Sequence, residues 1–348
     1  MMPVDNNDKK LRGGLSRVKL ILPTILGLGM IYYLYKDELV DLEGLEWTSK
    51  TTYAFMLALL MVVIRDAAYV VRIKILSLGE LSWKSSFNSV MLWEFASALT
   101  PTVLGGSAFA VLILKREGLS LGRSVATVLI TVVMDEIFYV IAVPVVVLFV
   151  GFDAFFPTDL SNLWLGESVK PIFFSGYILT CIVSAVVLSA LFISPKGTGK
   201  VIGLIFKLPI INRWSYKVGN WTEDWSVSSK NLKGKSFKFW AGAGGATLAS
   251  WSARFLTLNA ILYAFVKTVP HGEIVAKQLA MWIVMLLSPT PGASGLAECY
   301  FEPFIGPAVP LILETGKIGL VLLAWRFLTY FIYLIIGALI GPKWLART

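Results

Sequence analysis

The sequence predicts an all-α polytopic membrane protein, with about six full spans and two broken re-entrant hairpins that together form an inverted repeat. The first supporting observation is composition: of 348 residues, 56% are hydrophobic and 15% are charged, and the mean hydropathy is +0.73. The second is a set of apolar stretches near the roughly twenty residues that a helix needs to cross a bilayer. The third is a pair of breaks rich in proline and glycine, each inside an apolar run.

One transmembrane domain is expected over residues 18–340, between cytoplasmic tails at 1–17 and 341–348. Within this domain we expect a first repeat at 52–150, a basic cytoplasmic segment at 195–238 and an inverted second repeat at 239–340. The expected full spans are 18–35, 52–71, 123–150, 172–193, 239–265 and 317–340. The second span ends at Arg72 and Lys74, which we interpret as its cytoplasmic flank.

The distribution of charge orients these spans, because lysine and arginine are enriched in cytoplasmic loops. Basic residues precede the first span, namely Lys9, Lys10, Arg12, Arg17 and Lys19, and acidic residues follow it, namely Asp37, Glu38, Asp41, Glu43 and Glu46. The segment 195–238 carries nine lysines and arginines against two acidic residues. We therefore expect an integral protein of the cytoplasmic (inner) membrane with both termini in the cytoplasm.

Each break lies between apolar pieces that are too short to cross the membrane. The pieces around Pro101 are 87–99 and 102–114, each of thirteen residues, or about 20 Å of helix against about 30 Å of hydrocarbon. The pieces around Pro291 are 276–288 and 295–304. We interpret both as re-entrant hairpins; for the first, a pair of kinked full spans is the alternative. The break residues are Pro101, Gly105, Gly106, Pro289, Pro291, Gly292 and Gly295.

Charged residues recur at matched distances from the two breaks. Arg65 lies 36 residues before the first break proline, and Arg254 lies 37 residues before Pro291. Asp135 lies 34 residues after the first proline, and Arg326 lies 35 residues after the second. The first hairpin is expected to enter from the cytoplasm and the second from outside, so the halves predict an inverted repeat, as in many secondary transporters.

Charges inside membrane spans are costly and therefore point to function by default. The candidate site residues are Arg65, Asp66, Glu94, Asp135, Glu136, Arg254, Glu298 and Arg326. Two interpretations stay open. The charges pair to hold the bundle together, with Asp66, Asp135 and Glu136 as partners of Arg65, Arg254 or Arg326. Alternatively, they line a polar cavity, where helix N-termini would suit a phosphate and carboxylates a cationic group.

Other functional classes find little support in the sequence. Cys181 and Cys299 lie in apolar runs and the single histidine, His271, lies in a polar loop, so we expect no metal, no cofactor and no catalytic residue. The stretches at 234–236 and 242–245 lack the strand or the first glycine of nucleotide-binding loops. The basic residues flank membrane spans, so no nucleic-acid partner is expected.

Part of the basic segment has an amphipathic pattern. Trp214, Val218, Trp221 and Trp225 share one helical face among lysines, which predicts an interfacial helix on an anionic leaflet. An ordinary helix that covers the underside of the domain is equally compatible with this pattern.

The motifs around the breaks are similar to a known family. The stretch Leu99-Thr100-Pro101, then Gly105-Gly106, Leu114-Lys115-Arg116-Glu117-Gly118-Leu119-Ser120, Ala126 and Asp135, resembles the lysylphosphatidylglycerol synthase transmembrane region, also called the flippase-like family. Its second signature is similar to Pro289-Thr290-Pro291-Gly292 and Gly295-Leu296-Ala297-Glu298. The resemblance covers 18–340. It implies paired re-entrant hairpins and movement of lipids across the bilayer.

The leading hypothesis is therefore a lipid translocase, not an enzyme, whose movement is downhill or ion-coupled because no ATP site is visible. Its expected partners are membrane lipids: an anionic phospholipid, an aminoacylated phospholipid or a polyprenyl-phosphate lipid. One alternative is a membrane-embedded transferase that acts on a lipid-linked aminoacyl or sugar substrate, with Asp135 or Glu298 as general base. Another is a noncatalytic lipid-binding subunit. Assembly into a homo-oligomer is compatible with the sequence.

Overall fold

A computed structural model describes residues 25, 28–34, 36, 47–100, 103–157, 166–192, 234–286, 288, 290–314 and 316–346. Within these ranges the chain is helical and contains no strand. The α-helices are α1 (Ser49–Leu76), α2 (Trp83–Leu99), α3 (Val103–Arg116), α4 (Leu121–Val150), α5 (Val169–Phe192), α6 (Phe237–Phe265), α7 (His271–Leu286), α8 (Leu296–Ile305), α9 (Pro310–Glu314), α10 (Ile318–Arg326) and α11 (Ile332–Leu345). A π-helical turn, Phe327–Phe331, joins α10 to α11.

Four stretches of the described chain are long and apolar enough to cross a membrane: Ser49–Leu76, Leu121–Val150, Val169–Ser189 and Ile318–Leu345. They match the second, third, fourth and last predicted spans, which confirms an all-α membrane protein. Helix α6 contains the fifth predicted span and is 29 residues long, but it is less apolar. Its buried face carries Ser250, Thr257 and Asn259.

The helices flanking the two predicted breaks are short. Helices α2 and α3 have 17 and 14 residues, and α7 and α8 have 16 and 10. At about 1.5 Å per residue, none of them exceeds about 26 Å. Gly105 and Gly106 lie inside α3, so they do not form the break as predicted. A Cβ at Gly106 would lie 2.2 Å from the Ser97 hydroxyl oxygen, so this glycine permits close packing of α3 on α2.

The second break is a loop whose backbone requires glycine. Pro291 begins a single 3₁₀ turn, inside which Gly292 has a φ of 57°. Gly295 follows with a φ of 92° and immediately precedes α8. Residues with side chains rarely adopt such positive φ values. Gly292 and Gly295 therefore separate α7 from α8 at the predicted position.

Helices α1 and α6 pack against each other in antiparallel orientation. At one end, Lys50 Nζ donates to the Val266 carbonyl oxygen over 2.6 Å. At the other end, Arg72 Nη1 donates to Thr247 Oγ1 over 3.1 Å. Long helices thus flank short ones twice, with two short α-helices in the first set and three in the second. The leading helices of the two sets run in opposite directions.

The two sets also make reciprocal contacts. The first short helix of the first set, α2, packs on α11, which ends the second set; a Cβ at Gly337 would clash with the Phe95 ring. Correspondingly, α7 packs on α4, which ends the first set; a Cβ at Gly272 would clash with Val150. The first short helix of each set therefore packs on the last helix of the other set.

The largest buried cluster lies where these helices meet. It includes Phe255, Leu258, Leu279, Phe301 and Val321, all of which are at most 5% exposed. Polar groups placed beside this cluster are largely removed from water, which strengthens their electrostatic interactions.

Several predictions fall outside the described residues. They are the N-terminal tail, most of the first span, Pro101, Pro289 and the amphipathic stretch from Trp214 to Trp225. The predicted C-terminal tail is described except for its last two residues, and it is wrong in its start, because α11 continues to Leu345.

Candidate functional site

A cavity of about 320 Å³ lies between the two sets of helices. This volume falls within the range of small-ligand pockets. Residues of α1, α2, α4, α6, α7 and of the chain from Ser288 to Tyr333 contribute to its wall. The lining combines charged groups with many aromatic rings, among them Tyr69, Trp93, Tyr139, Trp251, Trp282, Trp325, Tyr330 and Tyr333.

The structure brings five of the eight predicted site residues into the wall of this cavity: Glu94, Asp135, Glu136, Arg254 and Arg326. The break residue Gly292 also lines it. Arg65, Asp66 and Glu298 lie behind the wall, where each contacts a charged residue. The predicted charges therefore gather in one region although they come from distant parts of the chain.

Glu94 of α2 joins the two leading helices. Its Oε1 accepts from Arg254 Nη2 over 3.3 Å, and its Oε2 lies 3.4 Å from Arg65 Nη2. Arg65 Nε also donates to Asp66 Oδ1 over 3.0 Å, and the Tyr333 hydroxyl donates to the same carboxylate. Glu94 and Arg254 are each about one-fifth exposed, whereas Arg65 is buried. This network, which we call the cavity-facing cluster, links α1, α2, α6 and α11.

Arg72 is the main residue that the sequence analysis missed. Its interpretation as a cytoplasmic flank is wrong, because α1 continues to Leu76 and Arg72 is only 1% exposed. Its Nη1 and Nη2 donate to the two Asp135 oxygens over 2.5 and 3.2 Å. Asp135 therefore pairs with Arg72 and not with the predicted arginines. The spacing of Arg65, Tyr69 and Arg72 places them on one helical face, which is the signal that could have found this pair.

The Trp251 indole completes the surroundings of Asp135. Its Nε1–H donates to Asp135 Oδ1 over 2.6 Å. The same indole packs edge-on against Trp282, with ring centroids 5.1 Å apart. The Arg254 guanidinium lies over both rings, at 5.0 and 5.3 Å from their centroids. An aromatic wall thus stabilises a cation inside the cavity through cation–π attraction.

A second charged group holds the loop between α7 and α8. Arg326 Nε lies 2.7 Å from Glu298 Oε1, and Arg326 Nη2 donates to Ser294 Oγ over 3.1 Å. Glu298 Oε2 accepts from the Gly295 N–H over 2.6 Å. Arg326 Nη1 and Nη2 both donate to the Gly292 carbonyl oxygen over 3.4 Å. We call these residues the loop latch.

Tyr330 connects the loop latch to the first hairpin. It lies in the π-helical turn, a feature often found at functional sites. Its hydroxyl donates to the Ala98 carbonyl over 3.2 Å and accepts from Ser294 Oγ over 3.3 Å. Its ring stacks under the Arg326 guanidinium, 4.1 Å from the centroid. One side chain therefore contacts both the end of α2 and the loop between α7 and α8.

Glu136 differs from the other carboxylates of the cavity. No lysine or arginine of the described chain forms an ion pair with it, contrary to the pairing that the sequence suggested. Its side chain is half-buried and accepts a hydrogen bond from the Thr180 hydroxyl of α5. The adjacent Asp135 points to Arg72 instead.

Fold and cavity together define an all-α integral membrane protein with a charged chamber between two sets of helices. Comparison of the sequence with known families agrees with this class of membrane protein. The chain belongs to the Lysylphosphatidylglycerol synthase TM region family, whose profile matches residues 20–337.

A similar curated protein is a UPF0104 membrane protein of Archaeoglobus fulgidus. It is 25% identical over 282 residues, a match that covers 78% of this chain and 80% of the archaeal protein. No solved structure matches the chain.

Proposed function

We propose that the protein is a lipid translocase that passes a polar or charged lipid head group through the cavity. The observation that carries this proposal is the cavity itself, where both halves of the chain place three arginines and three carboxylates in one aromatic-walled space. Intramembrane charge is costly, and it commonly marks substrate pathways. The substrate would be a membrane lipid: an anionic phospholipid, an aminoacylated phospholipid or a polyprenyl-phosphate lipid.

The helix contacts support an inverted repeat around this cavity. A two-fold axis relating antiparallel helices runs perpendicular to them, so an axis that exchanges α1 and α6 would lie in the membrane plane. The same axis would exchange the contact of α2 with α11 and the contact of α7 with α4. Transporters with such repeats bind their substrates at the interface of the halves, which is where the cavity lies.

The proposed topology has two re-entrant hairpins, α2–α3 and α7–α8, and both termini in the cytoplasm. The ends of α3 and α11 meet where Arg116 Nη2 donates to the Leu345 carbonyl over 2.9 Å. The ends of α1 and α4 meet where Arg123 Nη2 donates to the Ser77 carbonyl over 3.1 Å. Basic residues at these ends favour the cytoplasmic side.

The surroundings of the two candidate general bases favour translocation over group transfer. A general base must reach the proton that it abstracts. Asp135 is engaged by Arg72 and Trp251, and Glu298 is fully buried behind Arg326. Glu298 therefore does not reach the cavity, and Asp135, which lines it, is held by the two donors.

The test is reconstitution of the purified protein into liposomes that contain a phospholipid labelled on its head group. Translocation is read from the fraction of label that a membrane-impermeant reductant quenches, and mass spectrometry of the same lipids reports any chemical change. We expect accelerated movement of label without a new lipid species. A new lipid product would support the transferase instead. The absence of both lipid movement and a new product would support a noncatalytic binding subunit.

A matched pair of variants ties any movement to the cavity. Arg254→Gln removes a guanidinium from the cavity wall, whereas Lys238→Gln removes a cation at an exposed position near the start of α6. We expect the first variant to lose translocation and the second to retain it. Equal rates in both variants would show that lipid does not pass through this cavity.

A further inference from the structure

The charges in the cavity wall and directly behind it do not balance, and Glu136 carries the excess negative charge. In the described part of the chain, the arginines here are Arg65, Arg72, Arg254 and Arg326, and the carboxylates are Asp66, Glu94, Asp135, Glu136 and Glu298. Four positive charges therefore face five negative ones. The ion pairs neutralise every member except Glu136, so one negative charge remains in the cavity when Glu136 is ionised.

We propose that Glu136 is a proton-binding site whose occupancy permits the cavity to close, and that lipid movement is thereby coupled to a proton; this rests on the translocase function proposed above. Closing the cavity removes water from its wall. An isolated ionised carboxylate is very costly to bury, so such a group takes up a proton instead. With Glu136 protonated, the remaining charges form complete pairs and the closed state becomes accessible.

Among the described residues around Glu136, no cation is left to neutralise its carboxylate. On α4 and the helices packed against it, the titratable or charged groups that line the cavity with Glu136 are Tyr69 and Arg72 on α1, Asp135 and Tyr139 on α4 and Arg254 on α6. On α5, Tyr177 and Cys181 lie beside Thr180 in the sequence. Arg72 is bound to Asp135, and Arg254 is bound to Glu94. On α7, Lys277 is bound to Glu273 and to the Phe156 carbonyl. The basic residues of α3 lie in its last turn, Lys115 and Arg116, far along the helix from the cavity-lining Ser107.

The proton path is simple in chemical terms. The Glu136 carboxylate takes a proton from water that enters the cavity on the side of higher proton concentration. The cavity closes and reopens, and the carboxyl group releases the proton to water on the other side. Thr180 supports the ionised form, because its hydroxyl donates a hydrogen bond to the carboxylate. No bond other than O–H is formed or broken.

The first experiment measures lipid movement in proteoliposomes across an imposed pH gradient, with the membrane potential clamped by potassium and valinomycin. We expect the gradient to change the wild-type rate several-fold. Glu136→Gln mimics the protonated group and should move lipid at a rate that is independent of pH. Glu302→Gln makes the same change at an exposed position on α8 and should keep the wild-type response.

A second measurement needs no transport. Infrared difference spectra between low and high pH should contain a protonated carboxyl band that is absent in Glu136→Gln. If that variant does not fold, Thr180→Val serves instead: it should keep the band and move its midpoint to higher pH, since the hydroxyl that supports the ionised form is lost.

The outcomes separate the two proposals. A gradient response that survives in Glu136→Gln, a wild-type rate that ignores pH, or dependence on sodium alone would overturn the proton site. An unchanged carboxyl band in Glu136→Gln, or an unchanged midpoint in Thr180→Val, would do the same. If the band depends on Glu136 but no lipid moves in any condition, the translocase function fails and the proton site stands.

Discussion

The loop latch and the cavity-facing cluster are both built on arginine–glutamate contacts, but solvent reaches them differently. Arg326 and Glu298 are 5% and 0% exposed, whereas Arg254 and Glu94 are 19% and 22% exposed. The first pair also fixes a loop with positive φ values through Ser294 and the Gly292 carbonyl. The comparison teaches that charge inside a membrane protein has two uses, and that burial separates them.

The physical reason is the cost of losing a partner. In a fully buried pair, removing one charge leaves the other without solvent, and this typically costs about 3–5 kcal/mol. Where solvent reaches the pair, water takes the place of the lost partner and the cost falls. We therefore expect substitutions in the loop latch to act on folding, and substitutions in the cavity-facing cluster to act on function.

The largest effect is expected for Glu298→Gln. The amide keeps an oxygen for the Gly295 N–H but leaves Arg326 without a counter-charge, so the free energy of unfolding should fall by about 3–5 kcal/mol. Thermal unfolding in detergent measures it, with Glu302→Gln on the same helix as control. Replacement of both latch residues by leucine should recover part of the stability. A stable Glu298→Gln protein that has lost lipid movement would contradict the distinction.

Gly292→Ala should have the next largest effect. The new Cβ would lie 2.0 Å from a carbon of the Tyr330 ring, and φ at this position is 57°. Backbone strain of this kind costs about 1–3 kcal/mol. Gly244→Ala is the matched control, because nothing lies within 4 Å of its Cβ and it is inside α6; alanine should be neutral or stabilising there. Equal melting temperatures for the two variants would show that the loop tolerates a side chain.

Tyr330→Phe tests whether the Tyr330 hydroxyl connects the end of α2 to the loop between α7 and α8. It removes the hydrogen bond to the Ala98 carbonyl and the one from Ser294 Oγ, but it keeps the ring beneath Arg326. The expected loss of stability is about 1 kcal/mol. Tyr53→Phe on the exposed surface of α1 should change nothing. Hydrogen exchange at the ends of both hairpins should rise in the first variant alone, and unchanged exchange would exclude a connecting role.

Glu94→Gln should have the smallest effect on stability and a large one on function. Water reaches Glu94, and the buried Arg65 keeps Asp66 as a partner, so the free energy of unfolding should change by no more than about 1 kcal/mol. Lipid movement should fall about tenfold, equivalent to about 1.4 kcal/mol in the barrier, because Arg254 and Arg65 lose the carboxylate that positions them. Strong destabilisation with normal movement per folded molecule would assign this cluster to folding instead.

Much of the architecture could be predicted from the sequence because its causes are local. Apolar length indicates where a membrane helix lies, and the positive φ values at Gly292 and Gly295 favour glycine. Helices Leu121–Val150 and Phe237–Phe265 begin within two residues of their predicted starts. The prediction of a break failed at Gly105 and Gly106, because glycine also permits close helix packing, as Gly106 does against Ser97.

What the sequence by itself determined is an all-α membrane protein, the positions of its long helices and the set of charges that those helices bury. The tertiary structure decided which charges meet. Helical periodicity places Arg65 and Arg72 on one face of α1. Only the packing of α1 against α2, α4 and α6 pairs Arg65 with Glu94 and Arg72 with Asp135. Packing also leaves Glu136 without an ion-pair partner among the described arginines. Pairing of side chains from distant segments depends on how helices cross, and this geometry is a property of the whole bundle, not of any one stretch of sequence.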